Sequence, residues 1–419
     1  MSTSTFDVAA IRKDFPILET GIAYLDSANT SQRPRQVTAA MLEYFEKFNS
    51  NIHRAAYHIA EEATERYEGT REKVRAFINA ASTKEIVYTR GTTEAINLVA
   101  YGWGRRNVKA GDLIVLTILD HHSNIVPWQI LAAEKGAHIE YVDIDDRGEL
   151  RQDQFAGLLK RGPKLVAFNL VSNAMGTINP AQQMVAAAKK AGATVLVDGA
   201  QSTPHQPVDV RALGCDFYAF SGHKMLGPTG AGILYGRREL LEAMDPFQAG
   251  GDMIKTVRIE GTTYHDLPWK FEAGTQAIAE VIGLGAAVDY LNALGMDAVR
   301  AHELEITDYA YEALSDIDGL TLYGPPPARR AGVVSFTLDG IHPHDLATIA
   351  DRDQVCLRAG HHCAMPLMTR LNVAATARAS FYVYTQKEEI DRLVSSIKEA
   401  QRIFFPTKSS ISRGPREKA

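Results

Sequence analysis

The sequence predicts an α/β protein, with a mostly parallel seven-stranded sheet flanked by helices and a second, smaller α+β domain. Between about residues 85 and 235, seven short β-branched runs alternate with amphipathic helical stretches. Two of these stretches end in Lys followed closely by Gly136 and Gly192, where left-handed caps belong. Beyond about residue 275 the pattern changes to long helices. Alternating strands and helices form βαβ units and therefore a parallel sheet covered on both faces.

The seven runs are the predicted strands of the large sheet. In chain order they are EIVYT (85–89), DLIVLT (112–117), HIEYVDI (138–144), KLVAFNLV (164–171), TVLVDGA (194–200), DFYAFSG (216–222) and GILYG (232–236). Each run has the length and the β-branched or aromatic content of a strand.

The second domain follows from the change of pattern. Long helices are predicted over 277–295 and 298–317, followed by strands at 320–324 and 332–338. The tail is rich in Ser, Arg, Lys and Gly, which is typical of disorder. We predict a large domain over 21–290, a small α+β domain made of 1–20 and 291–405, and a disordered tail over 406–419.

Composition excludes several classes of function. The 419 residues are 45% hydrophobic and carry a net charge of -5, which supplies no basic field for nucleic acid or an anionic membrane. No apolar run approaches the roughly 18 residues that a membrane-spanning helix needs, and the start lacks the pattern of a signal peptide. Three cysteines are too sparse for a disulfide framework. We therefore expect a soluble, cytoplasmic protein with free thiols.

A lysine follows the strand DFYAF in the loop Ser221–Gly230. Lys224 can leave the sheet edge there and point into the crevice where open α/β sheets bind ligands. The alternative is a surface lysine in a glycine-rich loop. Asp198 ends the apolar strand VLVD, where a carboxylate is costly without a partner. A protonated pyridine ring would be such a partner, and a satisfied core aspartate or a helix cap is the alternative.

Two further strand ends carry polar side chains. Thr92 and Thr93 stand between a glycine and the start of a helix, an arrangement that suits a phosphate but also serves as an ordinary helix cap. His121 follows the strand LIVLT, where it can stack on a planar ring or move a proton. The adjacent histidines suggest a metal site, but no third ligand stands at a suitable spacing, so we expect no metal.

The segment 357–366 contains a cysteine among Gly, Pro, Arg and two histidines. Neighbouring Arg358 and histidines favour the reactive thiolate of Cys363, whereas the commonest fate of a free cysteine is that of a small buried hydrophobe. Cys215 and Cys356, in or beside apolar runs, are expected to be buried. Arg378 suits a substrate carboxylate, with a surface salt bridge as the alternative.

These motifs together resemble the SUF-type cysteine desulfurases, in the class V branch of fold-type I pyridoxal-phosphate (PLP) enzymes. They are Ser-Gly-His-Lys at 221–224, Val-Asp-Gly-Ala-Gln at 197–201, Arg-Gly-Thr-Thr-Glu at 90–94 and Arg-Ala-Gly-His-His-Cys-Ala at 358–364. The resemblance covers residues 15–405 and implies a homodimer with active sites at the subunit interface. It also implies transfer of sulfur from L-cysteine to a SufE-like or SufU-like acceptor for iron-sulfur cluster assembly, with L-selenocysteine as an alternative substrate.

The resemblance implies a role for each site residue. Lys224 would bind PLP covalently, Asp198 would pair with the ring nitrogen, Gln201 would contact the phenolic oxygen and His121 would stack over the ring. Cys363 would accept the sulfur as a persulfide. The side chains that would hold the phosphate are Thr92, Thr93, Ser221, His223 and Thr275 of the partner subunit. Those that would position the substrate are Asn173, Arg358 and Arg378.

The chain departs from the family pattern at three positions. Asn29 and Ala55 stand where the family commonly has Ala and Gly, and Asp120 stands where it has Glu. Asn29 and Ala55 lie in segments expected near the substrate or the subunit interface, so they bear on substrate preference. The alternatives are a selenocysteine lyase, a transaminase or kynureninase-like hydrolase, and an inactive sulfur-relay or scaffold protein.

Overall fold

The seven apolar runs form the seven strands of the central sheet in the computed structural model, which describes residues 6–406. Over these residues the strands are β1 (Ala23–Tyr24), β2 (Ile86–Thr89), β3 (Leu113–Thr117), β4 (His138–Val142), β5 (Leu165–Asn169), β6 (Thr194–Asp198), β7 (Phe217–Ser221), β8 (Gly232–Gly236), β9 (Ile254–Arg258), β10 (Gly261–Tyr264), β11 (Leu320–Tyr323), β12 (Val333–Leu338), β13 (Val355–Cys356), β14 (Arg358–Gly360) and β15 (Thr376–Ser380).

The large sheet has the strand order β2-β8-β7-β6-β5-β3-β4. Strands β7, β6, β5, β3 and β4 pair in parallel, and β8 is antiparallel to both of its neighbours, β7 and β2. Six strands therefore run in one direction and one runs against them. Every residue of β2, β3, β5, β7 and β8 is buried, because helices cover both faces of the sheet. The predicted mostly parallel, seven-stranded sheet is confirmed.

The helices fill the intervals that the sequence leaves for them. They are α1 (Val8–Arg12), α2 (Arg35–Lys47), α3 (His58–Phe77), α4 (Thr92–Val99), α5 (Arg105–Asn107), α6 (Val126–Lys135), α7 (Gln152–Leu159), α8 (Ala181–Lys190), α9 (Val210–Leu213), α10 (Arg238–Ala243), α11 (Ile278–Leu294), α12 (Met296–Ser315), α13 (Pro343–Arg352), α14 (Met365–Arg370) and α15 (Lys387–Phe404). Gly136 caps α6 with φ 69° and Gly192 follows α8 with φ 83°, both left-handed as predicted.

A second, antiparallel sheet has the order β11-β12-β15-β14, and α12, α13 and α15 pack on it around a separate apolar core. Strand β1 pairs with β13 and contributes Ala23 to this core. The domain boundaries 21–290 and 1–20 with 291–405 stay a prediction. The tail predicted over 406–419 lies, beyond Pro406, outside the described residues.

Helix α11 is the apolar helix on which α2 and α3 pack. Its Gly285 permits this approach, because a Cβ there would lie 2.4 Å from the Thr70 hydroxyl. No single helix within residues 6–406 is long and apolar enough to cross a membrane; α11 and α12 meet that test only as a pair, with a bend of 76° between them.

A buried ion pair joins α3 to the segment that precedes α11. Arg71 donates to both carboxylate oxygens of Glu272, at 2.7 and 2.9 Å, and both side chains are 1% exposed. Glu272 also accepts from the Tyr88 backbone N–H at the start of the sheet, at 2.9 Å. The guanidinium lies 4.1 Å from the Tyr88 ring centroid. This arrangement ties the helix to the edge strand β2, and losing either partner would leave a charge buried and underpaired.

We expect Glu272→Gln to lower the free energy of unfolding by about 3 kcal/mol, because it removes the buried one of the two carboxylates that pair with the guanidinium; the other, Glu68 at 2.8 Å, is 28% exposed. The matched control is Glu72→Gln, on the exposed pair with Arg75 of the same helix, where the side chains are 56% and 28% exposed. That change should cost less than about 1 kcal/mol. Denaturant unfolding followed by fluorescence checks both, and equal losses would contradict the assignment.

Candidate active site

A cavity of about 170 Å³ lies at the edge where β2, β3, β5, β6 and β7 end. Open α/β sheets bind their ligands at this edge. Strands β14 and β15 of the small sheet contribute the opposite wall. Twelve of the predicted site residues line it: Thr92, Thr93, His121, Asn173, Asp198, Gln201, Ser221, His223, Lys224, Arg358, Cys363 and Arg378. Thr275 lies in a separate cleft beside Glu272 and Arg90, so its predicted role toward the neighbouring subunit stays a prediction.

Lys224 and Asp198 come from adjacent strands. Asp198 is the last residue of β6, is 4% exposed and accepts from the Ala200 backbone N–H at 2.9 Å. Burial raises the pKa of its carboxyl group, and the charge of Lys224 opposes that rise. Burial likewise lowers the pKa of Lys224 to about 8. The cavity thus holds an amine that is partly neutral near physiological pH, opposite a carboxyl group that has one backbone donor.

Hydroxyl groups cluster at the N-terminus of α4. The Ser221 hydroxyl accepts from the Thr92 backbone N–H at 2.8 Å and lies 2.7 Å from the Thr92 hydroxyl. The hydroxyls of Thr93 and Ser123 are 2.7 Å apart. Burial, with Lys224 nearby, lowers the pKa of His223 to about 4, so its ring is neutral at pH 7. Hydroxyls and free N–H groups at the start of a helix form a binding site for an anion.

His121 lies beyond β3 and is neutral at pH 7, because burial, followed by the charge of Lys224, lowers its pKa to about 3. Its Nδ1 accepts from the Ser123 backbone N–H at 3.0 Å, so the ring proton resides on Nε2. The turn is fixed by Asp120, which accepts from the Thr117 N–H at 2.8 Å and the Asn124 amide at 3.0 Å. Burial raises the pKa of Asp120 to about 7. Asp120, which stands where the family commonly has Glu, therefore stabilises this turn.

Arg358 and Arg378 stand directly opposite each other on β14 and β15. Asp26 accepts from Arg378 at 3.0 Å and from the Asn29 amide at 3.1 Å. Asn29 in turn accepts from Arg358 at 2.5 Å. A carboxylate and an amide thus separate two like charges that the register would otherwise bring together. The departure at Asn29 therefore lies in the site, where it orients Arg358, whereas Ala55 is not part of the cavity lining.

Several buried polar atoms in the cavity wall have no partner in the described part of the chain. They are Gln201 Oε1, Asn173 Oδ1, Arg378 Nε and His362 Nδ1. Buried polar groups are almost always hydrogen-bonded, so these four imply a polar ligand or solvent in the cavity.

Cys363 lies in a loop between β14 and α14 and is half-buried in the cavity wall. The carbonyl of the preceding residue, His362, accepts from the Asn173 amide at 2.6 Å. Cys215 is fully buried in the large core, as expected. Cys356 was also expected to be buried, but it is only half-buried in the short strand β13, outside the cavity lining. Of the three thiols, Cys363 is the one that faces the cavity.

Three lining or supporting residues were missed by sequence reasoning. Asn169 ends β5 beside Asp198, and the rule that found Asp198, a polar residue closing an apolar strand, would have found it too. Ser123 and Asp26 gave no such signal, because their contacts are to segments distant in the sequence or to side chains whose direction only the fold decides.

Comparisons with known proteins show which family the chain is similar to. Residues 23–393 match the family model described as aminotransferase class-V. A probable cysteine desulfurase of Staphylococcus epidermidis is 51% identical over 409 residues, covering 96% of this chain and 99% of the relative. One of Halalkalibacterium halodurans is 49% identical over 399 residues, covering 94% and 98%.

Two solved structures have the same fold over nearly the whole chain. The apo cysteine desulfurase of Thermococcus onnurineus superposes with a TM-score of 0.92 at 40% identity, covering 96% of this chain and 99% of that one. The cysteine desulfurase CsdA of Escherichia coli superposes with a TM-score of 0.90 at 37% identity, covering 96% and 100%. The chain therefore belongs to the class-V aminotransferase family.

Proposed function

We propose that the protein is a PLP-dependent cysteine desulfurase that converts L-cysteine to L-alanine and receives the sulfur on Cys363 as a persulfide. The observation that carries the proposal is the enclosure of Lys224 and Cys363 in one cavity. Relatives at about half identity, named as probable cysteine desulfurases, support it. An ordinary transaminase would have no use for the thiol in this wall.

The cavity fits PLP on the chemistry of its donors. The buried Asp198 carboxyl has one backbone donor and would gain a second from a protonated ring nitrogen. The hydroxyl cluster at the start of α4, with Ser221 and neutral His223, would hold the phosphate. Gln201, whose buried amide oxygen is unpartnered in the described part of the chain, would lie toward the phenolic oxygen. Lys224 would bind the cofactor covalently, with His121 over the ring.

PLP, when bound, withdraws electrons from the substrate Cα and so makes the Cα proton and the Cβ–S bond labile. Arg378 would supply the charge that binds the substrate carboxylate, and its buried Nε has no partner among residues 6–406. Lys224, with its pKa near 8, accepts the Cα proton as a neutral amine and returns it as an ammonium. Asp198 would hold the proton on the ring nitrogen of the bound cofactor.

The sulfur step uses Cys363. Its thiolate attacks the sulfur of the substrate, so a new S–S bond forms as the Cβ–S bond breaks. The electron pair of the broken bond stays with the substrate carbon, which takes up a proton and leaves as alanine. His121, neutral and protonated on Nε2, is positioned in the cavity wall to exchange that proton. The net change is one thiol and one cysteine to one persulfide and one alanine.

The proposal extends to the assembly and the cellular setting. A homodimer is supported by apolar side chains left exposed: Leu42 and Phe45 on α2, and Val257 and Ile259 on the β9–β10 hairpin. Thr275 would then complete the phosphate site of the partner subunit. The persulfide would pass to a SufE-like or SufU-like acceptor protein. Sparse, unpaired cysteines suit a reducing, cytoplasmic setting.

The direct test is incubation of the PLP-loaded protein with L-cysteine, followed by quantification of alanine and mass measurement of the peptide that carries Cys363. We expect alanine together with a gain of one sulfur on that peptide. Alanine without the added sulfur would contradict the role of Cys363, and no alanine would contradict the activity.

We expect Cys363→Ala to lower alanine formation from L-cysteine by a factor on the order of 10³ or more, because the sulfur loses its acceptor. Cys356→Ala is the matched control, since that thiol lies outside the cavity lining, and it should retain full activity. Turnover of L-selenocysteine by Cys363→Ala checks that the rest of the site is intact. Undiminished release of sulfur from L-cysteine by Cys363→Ala would refute the mechanism.

Binding of PLP should depend on pH through Lys224, because only the neutral amine attacks the aldehyde. With the pKa lowered to about 8, the neutral fraction rises as the pH rises through that value. Reconstitution of the apo protein should therefore be about tenfold faster at pH 9 than at pH 7. Stopped-flow visible absorbance measures the rate. Lys224→Ala, which lacks the amine, should form no covalent adduct by mass spectrometry at either pH.

A further inference from the structure

The loop that carries Cys363 is bonded to the turn beyond β3 through one residue, His122, which the proposed chemistry does not use. The His122 backbone N–H donates to the Cys363 carbonyl at 2.8 Å. The ring Nε2 of His122 accepts from the Met365 backbone N–H at 3.0 Å. We define residues 361–365 as the cysteine loop. His122 therefore contacts this loop at two points, at Cys363 itself and at Met365, which is 243 positions away in the sequence.

The cysteine loop needs such support because its backbone is strained. His362 and Cys363 have φ of 51° and 55°, both in the left-handed region that side chains with a Cβ disfavour. Two consecutive residues keep this conformation only where their surroundings fix it. From outside the loop, His122 contacts it, the Asn173 amide donates to the His362 carbonyl at 2.6 Å, and the Thr376 hydroxyl lies 2.8 Å from His362 Nε2.

The ring of His122 acts as an acceptor, which requires it to be neutral with its proton on Nδ1. Partial burial, followed by the nearby ring of His361, lowers the pKa of His122 and so favours this form. The two rings lie 5.7 Å apart. His361 in turn accepts from the Cys363 backbone N–H at 3.1 Å, within the loop. Two backbone N–H groups of the loop therefore donate to imidazole rings. The ring of His361 belongs to the loop, and the ring of His122 lies outside it.

We propose that His122 is a positioning residue for sulfur transfer: its ring, by accepting from Met365, keeps the Cys363 thiol in the cavity and limits its exposure to solvent. A thiol that must take sulfur inside the cavity and release it to an outside acceptor requires a loop with a preferred inward position. The role of His122 in turnover rests on the proposed function. The contact between His122 and the cysteine loop is present in the protein without substrate.

The test measures the reactivity of Cys363 in the PLP-loaded protein without cysteine. Pseudo-first-order alkylation by iodoacetamide is followed peptide by peptide, with the half-buried Cys356 as internal reference. His122→Phe fills the volume of the ring but cannot accept, and it should raise the Cys363 rate about fivefold, the weight of one ordinary hydrogen bond. His122→Gln restores an acceptor at the position of Nε2 and should stay within about twofold of the parent protein.

Three alkylation results would overturn the proposal. The first is an unchanged Cys363 rate in His122→Phe. The second is a rise in His122→Gln equal to that in His122→Phe, which would assign the effect to packing. The third is a parallel rise at Cys356 in His122→Phe, which would indicate general loosening. If His122→Phe folds poorly, His122→Leu replaces it as the variant without an acceptor. Its Cys363 alkylation rate is then compared with that of His122→Gln, which has one.

Turnover separates this proposal from the proposed function. In His122→Phe we expect the kcat for alanine formation to fall about fivefold with an unchanged KM for L-cysteine, because the groups that bind substrate are untouched. His122→Gln should recover kcat. Suppose that neither the parent protein nor any variant forms alanine, but Cys363 is still alkylated faster in His122→Phe than in His122→Gln. The proposed function is then wrong, and the positioning of the loop by His122 is retained. A raised KM with an unchanged kcat would overturn the proposal.

Discussion

The parallel direction of β2, β3, β5, β6 and β7 is the constraint on which the rest of the molecule depends. Because these strands run the same way, their carboxyl ends meet at one edge, and the polar residues that follow each strand face the same cavity. Asp198 and Lys224 are neighbours for this reason, although 26 positions separate them. Reversing one strand would move its side chains to the far edge of the sheet.

The charges in the cavity are arranged for anions. Lys224, Arg358 and Arg378 face it, whereas Asp26 and Asp198 are the nearby carboxyl groups, and both already have hydrogen-bond donors. The imidazoles of His121 and His223 stay neutral because burial beside these cations lowers their pKa to about 3 and about 4. The cavity can therefore hold a phosphate and a carboxylate while keeping neutral rings available for stacking and proton exchange.

The small sheet completes the chemistry that the large sheet begins. Arg358, Arg378 and Cys363 all come from β14, β15 or the loop between β14 and α14, and they meet the cofactor side of the cavity only through contacts between the two sheets. These contacts are hydrogen bonds of Asp26, Asn29, Asn173 and His122 to backbone or guanidinium groups. The position of the thiol relative to Lys224 is thus set by directional polar bonds at the boundary, together with the packing of Ala364 and Leu367, which follow Cys363, in the large apolar core.

The sequence by itself determined the seven strands, the helices between them, and the placement of Asp198, Lys224, Thr92 and His121 at strand ends, because periodicity and a polar residue closing an apolar run are local signals. Only the tertiary structure decided that Asn29 orients Arg358, that Thr275 lies outside the cavity, and that His122 holds the cysteine loop. Those contacts join positions as far apart as 329 residues. No local pattern records such pairs, since each depends on where two sheets bring separate segments together and on the direction in which each side chain then points.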